Sequence, residues 1–268
     1  MFPYITLFGK VYTLYAIMSV IGIFVSGIFM CRMTKKRGLN DNDTIILLLF
    51  AAIGVLLGSH ILYGITNIKM LPSLFSVKSF GELWAAFGNM FGGAVFYGGL
   101  IGGLIAGAIT IKLKKMDFAV FSDMAAVIIP LFHFFARIGC FLSGCCYGIE
   151  CEWGFTAHDN PFVPEINGVS RFPVQLLESF LNIILFLILY LLYRKSLADK
   201  RLQGKLMLIY LMSYSVIRFF DEFLRGDGIR GFIFGISTSQ LISLILFLGS
   251  LAALSLLSFK KTPNPDNH

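Results

Sequence analysis

Long apolar runs alternate with short polar connectors along this chain. Seven runs stand out, at about 11–31, 44–64, 85–111, 118–137, 174–193, 206–224 and 236–258, each close to the roughly 20 residues that cross a bilayer as a helix. Hydrocarbon offers backbone N–H and C=O groups no water, so runs of this kind satisfy themselves as helices. The pattern therefore predicts an all-α, polytopic membrane protein with seven transmembrane helices in a single domain, 1–268. Two longer polar stretches interrupt the runs, at about 65–84 and 138–173. The second holds Trp153, His158, Pro161, Pro164 and Pro173, a composition that suits an ordered loop with short elements. Together the two are expected to form a small cap on the outer face. The first apolar run does not read as a cleavable leader, because no basic segment precedes it and a basic cluster follows it.

Composition agrees. Of 268 residues, 57% are hydrophobic and only 14% charged, against roughly 25% charged in soluble proteins; the mean hydropathy is +0.80. The net charge of +7 would suit a nucleic-acid partner were it spread differently. Instead, 14 of the 22 Lys and Arg residues fall in CRMTKKR, KLKKMD, RKSLADKRLQGK and KK, the connectors after the first, third, fifth and seventh runs. Alternating spans place all four on one side, which the positive-inside rule makes the cytoplasm. The N-terminus is then expected outside and the C-terminus inside. Attraction to anionic lipid accounts for these clusters, and no nucleic-acid partner is expected.

Five arginines run against that bias. Arg137, Arg171, Arg218, Arg225 and Arg230 lie at or near the outward ends of the fourth to seventh runs. Guanidinium groups at this depth are costly unless paired or facing a polar cavity, which makes each a candidate for function; one of them alone would be equally consistent with a cation snorkelling to an interface. The acids within the runs are Glu82, Asp123, Glu178, Asp221 and Glu222, a set that makes ion-coupled transport unattractive. The third run is dense in glycine; Gly99, Gly103 and Gly107 have the spacing of close helix packing. The pair Gly98–Gly99 after Tyr97 would also let a ligand reach the backbone.

Arg137 sits in the segment ARIGCFLSGCCYG, one helical turn after His133. Cys140, Cys145, Cys146 and Cys151 crowd into twelve residues there. On an oxidising face, disulfides such as 140 with 145 or 146 with 151 are one reading. Zinc held by thiolates and His158 is a second, although the spacing matches no standard zinc motif and no metal is assigned. Thiol carrier chemistry and simple packing of small side chains remain open beside them.

Four segments together resemble the prolipoprotein diacylglyceryl transferases of bacterial inner membranes. The family signature G-R-I-G-N-F-I-N-G-E-x-x-G is similar to Ala136–Gly148 here, and H/Y-G-G-L-I-G to Tyr97–Gly102. The element R-H-P-T-Q-L-Y-E resembles Arg171–Glu178, and F-R-x-x-x-E-F-x-R resembles Ile217–Arg225, followed by Ser239, Gln240 and Ser243. The likeness covers nearly the whole chain and implies seven spans. It further implies transfer of the diacylglyceryl group of phosphatidylglycerol to the lipobox cysteine in the signal peptide of a prelipoprotein, within the multi-pass setting of the bacterial cytoplasmic membrane. No cofactor is expected; phosphatidylglycerol, the prelipoprotein and membrane lipids are the partners.

Such chemistry needs a thiolate, since the thiol is a poor nucleophile, and cationic donors for the phosphate as the carbon–oxygen bond breaks. The resemblance assigns that clamp to Arg137 and Arg218 and makes Tyr97 the third catalytic residue, with Glu222 orienting Arg218 from one turn away. It assigns Gly98, Gly99, Gly139, Gly144, Gly148, Gln175, Glu178, Glu222 and Arg225 to the lipid. Three departures stand out: Cys140 replaces the signature asparagine, Cys145 the glutamate, and Tyr97 the common histidine. With a free pKa of about 10, Tyr97 is a better hydrogen-bond donor to phosphate than a base. Two rivals are carried alongside: a divergent member using its own cysteines toward another acceptor, and a non-catalytic lipid-binding or transport protein.

Overall fold

The computed structural model describes residues 3–77, 79–93, 95–200, 202–227, 232–233 and 235–259. The chain opens with a hairpin of β1 (Tyr4–Leu7) and β2 (Lys10–Thr13), followed by α1 (Leu14–Lys36) and α2 (Asp41–Thr66). Then come α3 (Leu71–Phe75), α4 (Phe80–Phe91), α5 (Phe96–Leu113) and α6 (Phe118–Ser143). Strands β3 (Glu150–Thr156) and β4 (Ser170–Arg171) pair antiparallel before α7 (Val174–Ala198) and α8 (Leu206–Asp221). A short hairpin of β5 (Phe232–Ile233) and β6 (Ile236–Ser237) leads into α9 (Thr238–Phe259). Among the described residues, five helices are long and apolar enough to cross a membrane: α1, α2, α6, α7 and α9.

The third and sixth expected spans account for the difference from seven. The third is two helices, because the apolar run conceals a break at Gly92 and Gly93. The His60 ring holds that break, with Nδ1 2.8 Å from the Phe91 carbonyl and 2.9 Å from that of Gly93. The sixth run forms α8, of 16 residues, continued by a 3-10 turn at Glu222–Leu224.

The chain divides into two compact units, residues 31–118 and residues 1–30 with 119–268. In the first, α2 and α5 pack backbone against backbone. Gly54 and Gly58 face Gly102 and Gly98, and a Cβ on any of the four would strike the opposing main chain. A Cβ on Gly99 would lie 3.2 Å from Val55, a tight but milder contact. Gly98 and Gly99 thus take part in the helix approach that small residues permit. Lys114 and Asp43, at the helix ends, form an ion pair at 3.3 Å.

In the second unit α6 is the central helix. Met124, Ala126, Val127 and Leu131 on α6, Leu185 and Leu189 on α7 and Leu206 on α8 are buried. Phe29 of α1 meets Phe186 and Tyr190 of α7 edge-on at 5.2 and 5.1 Å. The buried carboxylate of Asp123 accepts the N–H groups of Gly204 and Leu206 at 2.7 and 2.9 Å. It thereby satisfies donors that the start of α8 would otherwise leave orphaned in an apolar setting. The long polar loop begins later than expected: α6 runs on to Ser143 and stops at Gly144, whose φ of +79° suits glycine alone.

Candidate active site

Four elements of the second unit bring their polar residues to one place. Arg137 lies two turns from the end of α6, Glu178 one turn into α7, Arg218 near the end of α8 and Arg225 just beyond it. Glu178 is the hub. Its Oε2 pairs with Arg137 Nε, and its Oε1 lies 3.5 Å from Arg218 and 3.7 Å from Arg225. Three guanidinium groups therefore share one carboxylate that is only 4% exposed. Removing such charges from water costs several kcal/mol per ion unless partners are close, and here each has one.

The three arginines are not equivalent. Arg225 donates to both oxygens of Asp227, from Nε at 3.0 Å and Nη2 at 2.8 Å. Burial opposes its charge, but the hydrogen bonds to Asp227 together with the charges of Cys146, Asp227 and Glu178 outweigh burial and raise its pKa. Arg218 Nη2 is shared by Glu222 at 2.9 Å and Ser239 Oγ at 3.1 Å. The Glu222 contact realises the one-turn spacing read from the sequence. Arg137 and Arg218 keep 19% and 15% of their side chains exposed against 4% for Arg225.

Around this hub several buried polar atoms have no hydrogen-bond partner among the described residues: His133 Nδ1, Asn182 Oδ1 and Asp221 Oδ2. Orphans of this kind are where water or substrate completes a site. The His133 ring lies tilted against that of Tyr214, with centroids 5.3 Å apart, and Tyr214 in turn lies next to Arg137. On the α8–α9 face, Ser215, Val216, Phe219, Phe220, Ser243 and Leu244 line an apolar groove of about 160 Å³. It flanks Arg218 in sequence on α8 and lies one turn along α9 from Ser239.

The loop after α6 is drawn in tightly. Gln175, buried in α7, donates from Nε2 to the Cys145 carbonyl at 2.8 Å. Asn160 Nδ2 reaches the Ser143 carbonyl at 3.0 Å, and Gly226 N donates to the Tyr147 carbonyl at 3.0 Å. Cys146 takes a φ of +57°, a left-handed conformation that costs a non-glycine residue about 1–2 kcal/mol. These constraints gather Cys140, Cys145 and Cys146 so that their sulfurs lie within 4.8 Å of one another. Hydrogen bonds from the other two thiols, then the charges of Arg225 and Arg137, push the Cys146 thiol down. Contacts with the Cys140 and Cys146 thiols, with burial, push Cys145 up. All five cysteines are free, and Cys151 stands outside the cluster on β3.

The expected site residues thus separate into groups. Arg137, Arg218, Arg225, Glu178 and Glu222 come together. Gln175 tethers a loop carbonyl. Gly139 packs against Tyr15 and Met18 of α1, Gly144 against Asn160 and Ile166, and Gly148 against the carbonyls of Phe172 and Leu224. Arg171 belongs elsewhere, over the Tyr147 ring at 4.5 Å and paired with Glu150 at 3.4 Å. Tyr97 begins α5 in the other unit; its side chain and Arg230 lie outside those described. Sequence reasoning missed Asp227, Asn160 and Tyr214. Asp227 alone had a local signal, an acid two residues after an arginine.

Comparison with known proteins identifies the family. The family model for prolipoprotein diacylglyceryl transferase matches residues 4–256. A phosphatidylglycerol–prolipoprotein diacylglyceryl transferase of Clostridium tetani is 33% identical over 258 residues, covering 95% of this chain and 97% of that one. The second such enzyme of Clostridium perfringens is 34% identical over 251 residues, 91% of each chain. One from Campylobacter hominis is 31% identical over 275 residues, covering 98% and 93%. A match running from β1 almost to the end of α9, through every residue of the arginine cluster, means that this chain belongs to the prolipoprotein diacylglyceryl transferase family.

Proposed function

We propose that the protein transfers the diacylglyceryl group of phosphatidylglycerol to the lipobox cysteine thiol of a prelipoprotein, at the outer leaflet of the bacterial cytoplasmic membrane. The observation that carries this reading is the convergence of Arg137, Arg218 and Arg225 on Glu178. A lone phosphodiester headgroup is an anion that planar guanidinium forks bind well, and the hub holds those forks at fixed positions before substrate arrives. Arg137 and Arg218 grip the phosphate. Arg225, fully engaged by Asp227 and Glu178, sets the field around them. The apolar groove between α8 and α9 gives an acyl chain a place beside Arg218.

As the acceptor sulfur bonds to the glyceryl carbon, the carbon–oxygen bond to phosphate breaks and glycerol phosphate leaves with the electron pair. Negative charge grows on the departing oxygen, and prearranged cations in a site poor in water stabilise it without reorganising. Seven spans with the N-terminus outside, α4–α5 and α8 supplying the two beyond the five long helices, would set this cluster at the outer side. The polar loop after α6 would form a cap above it.

The test is lipidation of a reporter prelipoprotein, read by mass spectrometry, in a strain depleted of its own transferase. Arg137→Ala is expected to lose roughly 10²–10³-fold in rate while remaining folded in the membrane. A reporter left unmodified by the wild-type protein would refute the assignment.

A further inference from the structure

The three sulfurs of Cys140, Cys145 and Cys146 have no role in the clamp just described, yet the chain takes trouble to assemble them. Cys140 comes from the last turn of α6. Gly144 and Cys146, both left-handed, fold the following loop back, and Gln175 and Asn160 anchor it by hydrogen bonds to Cys145 and Ser143. The sulfurs end within 4.8 Å of one another. Three thiolates on one zinc ion at 2.3 Å stand about 3.8 Å apart, so small rotations about the Cα–Cβ bonds close the remaining distance.

Resting on the transferase reading, we propose that Cys140, Cys145 and Cys146 form a three-thiolate zinc site whose fourth position takes the acceptor thiol. Among the described residues no fourth His, Cys, Asp or Glu joins the cluster, and a three-ligand zinc with an open position is the form used for chemistry, whereas structural sites are closed by four. The surroundings suit the charge. Arg137 Nη1 points at Cys140 Sγ from 4.0 Å, and the charges of Arg225 and Arg137 both act on Cys146, so an anionic zinc–thiolate centre has cations at hand.

The step balances. On coordination the acceptor thiol gives up its proton, and the metal holds the sulfur as thiolate at neutral pH. That sulfur forms the bond to the glyceryl carbon; the phosphate oxygen departs with the electron pair, and the released proton ends on the phosphomonoester. No oxidant or reductant is required. Arg137 would touch the nucleophile's metal site on one side and the leaving phosphate on the other, which places both partners of the substitution within one side chain's reach.

The experiment uses the full-length protein purified in detergent. Metal analysis should find one zinc per chain in wild type, Cys31→Ser and Cys151→Ser, and loss of it in Cys140→Ser, Cys145→Ser and Cys146→Ser. Replacing zinc with cobalt should give a tetrahedral visible spectrum with sulfur charge transfer, and a lipobox peptide should alter it while the same peptide with serine for cysteine should not. Stripping the metal should slow transfer roughly 10²-fold, with recovery on adding zinc. No bound metal, a thiol count two short through a disulfide, or a cobalt spectrum indifferent to the peptide would each overturn the proposal. Full transfer by metal-free protein would do so too while leaving the transferase reading intact. Zinc bound as described but no transfer from phosphatidylglycerol would sink the transferase reading instead.

Discussion

At the scale of single residues, geometry distinguishes a charge from a fork. Arg218 spends one nitrogen on both Glu222 and Ser239 and another on Glu178. A lysine at this position keeps the charge but has no planar array of donors to reproduce those contacts and still face a phosphate. Arg218→Lys should therefore lose most of its activity through kcat, with the fold intact; activity near wild type would mean that charge alone matters there. Glu178 is tested through stability. Glu178→Ala leaves three buried guanidinium groups without their shared carboxylate, and removing one partner of a buried pair costs about 3–5 kcal/mol. A markedly lower thermal midpoint in detergent is expected, and an unchanged one would show that Glu222 and Asp227 suffice as counter-ions. The pairing of Arg218 with Glu222 was legible in the sequence because helical periodicity puts both on one face. The hub was not: Glu178 reaches Arg137 and Arg218 from 41 and 40 residues away, and no local pattern carries information about contacts made by packing.

At the scale of elements, hydropathy located the helices well but could not see where one stops inside an apolar run. The break between α4 and α5 occurs at Gly92 and Gly93, which are as apolar as their neighbours, and the His60 ring that holds it belongs to another helix. The end of α6 beyond Arg137 was misplaced for a related reason, since Gly139 looks like a stop but lies within the helix, and the left-handed residue is Gly144. Glycine in this chain is chiefly a device for close approach. Gly58 is the sharpest case, because a Cβ there would meet the Gly98 main chain, which cannot move aside as a flexible side chain can. Gly58→Val should push α2 and α5 apart and cost about 1–3 kcal/mol. Unfolding in detergent would measure this, and Gly249→Val is the control, since nothing lies within 4 Å of its added Cβ. Equal effects in the two would remove the packing argument.

At the scale of the whole molecule, the arginine cluster and the basic connectors fall at opposite ends of α6, α7 and α8. Lysines occupy the last turns of α1, α5 and α7, and α6 and α8 begin just after basic connectors. Arg137 lies 19 residues into α6, about 28 Å from its start at 1.5 Å per residue, which is close to the thickness of the hydrocarbon core. Glu178 and Ser239 sit at the beginnings of α7 and α9 and Arg218 near the end of α8, as helices running in alternate directions require. Along α6, α7 and α8 two populations of cations thus lie at opposite helix ends, the connector lysines and arginines at one and the buried guanidinium groups at the other; the positive-inside rule would put the first in the cytoplasm. The second population survives only through the carboxylates of Glu178, Glu222 and Asp227. This predicts the orientation directly. In a variant with its native cysteines replaced by serine, a single cysteine put at Lys36 or Asp117 should react with an impermeant maleimide only in inverted vesicles, and one put at Glu152 or Glu165 only in intact cells. Labelling of Asp117→Cys from outside would place the arginine cluster at the cytoplasmic surface, on the wrong side for an acceptor whose signal peptide has already been exported.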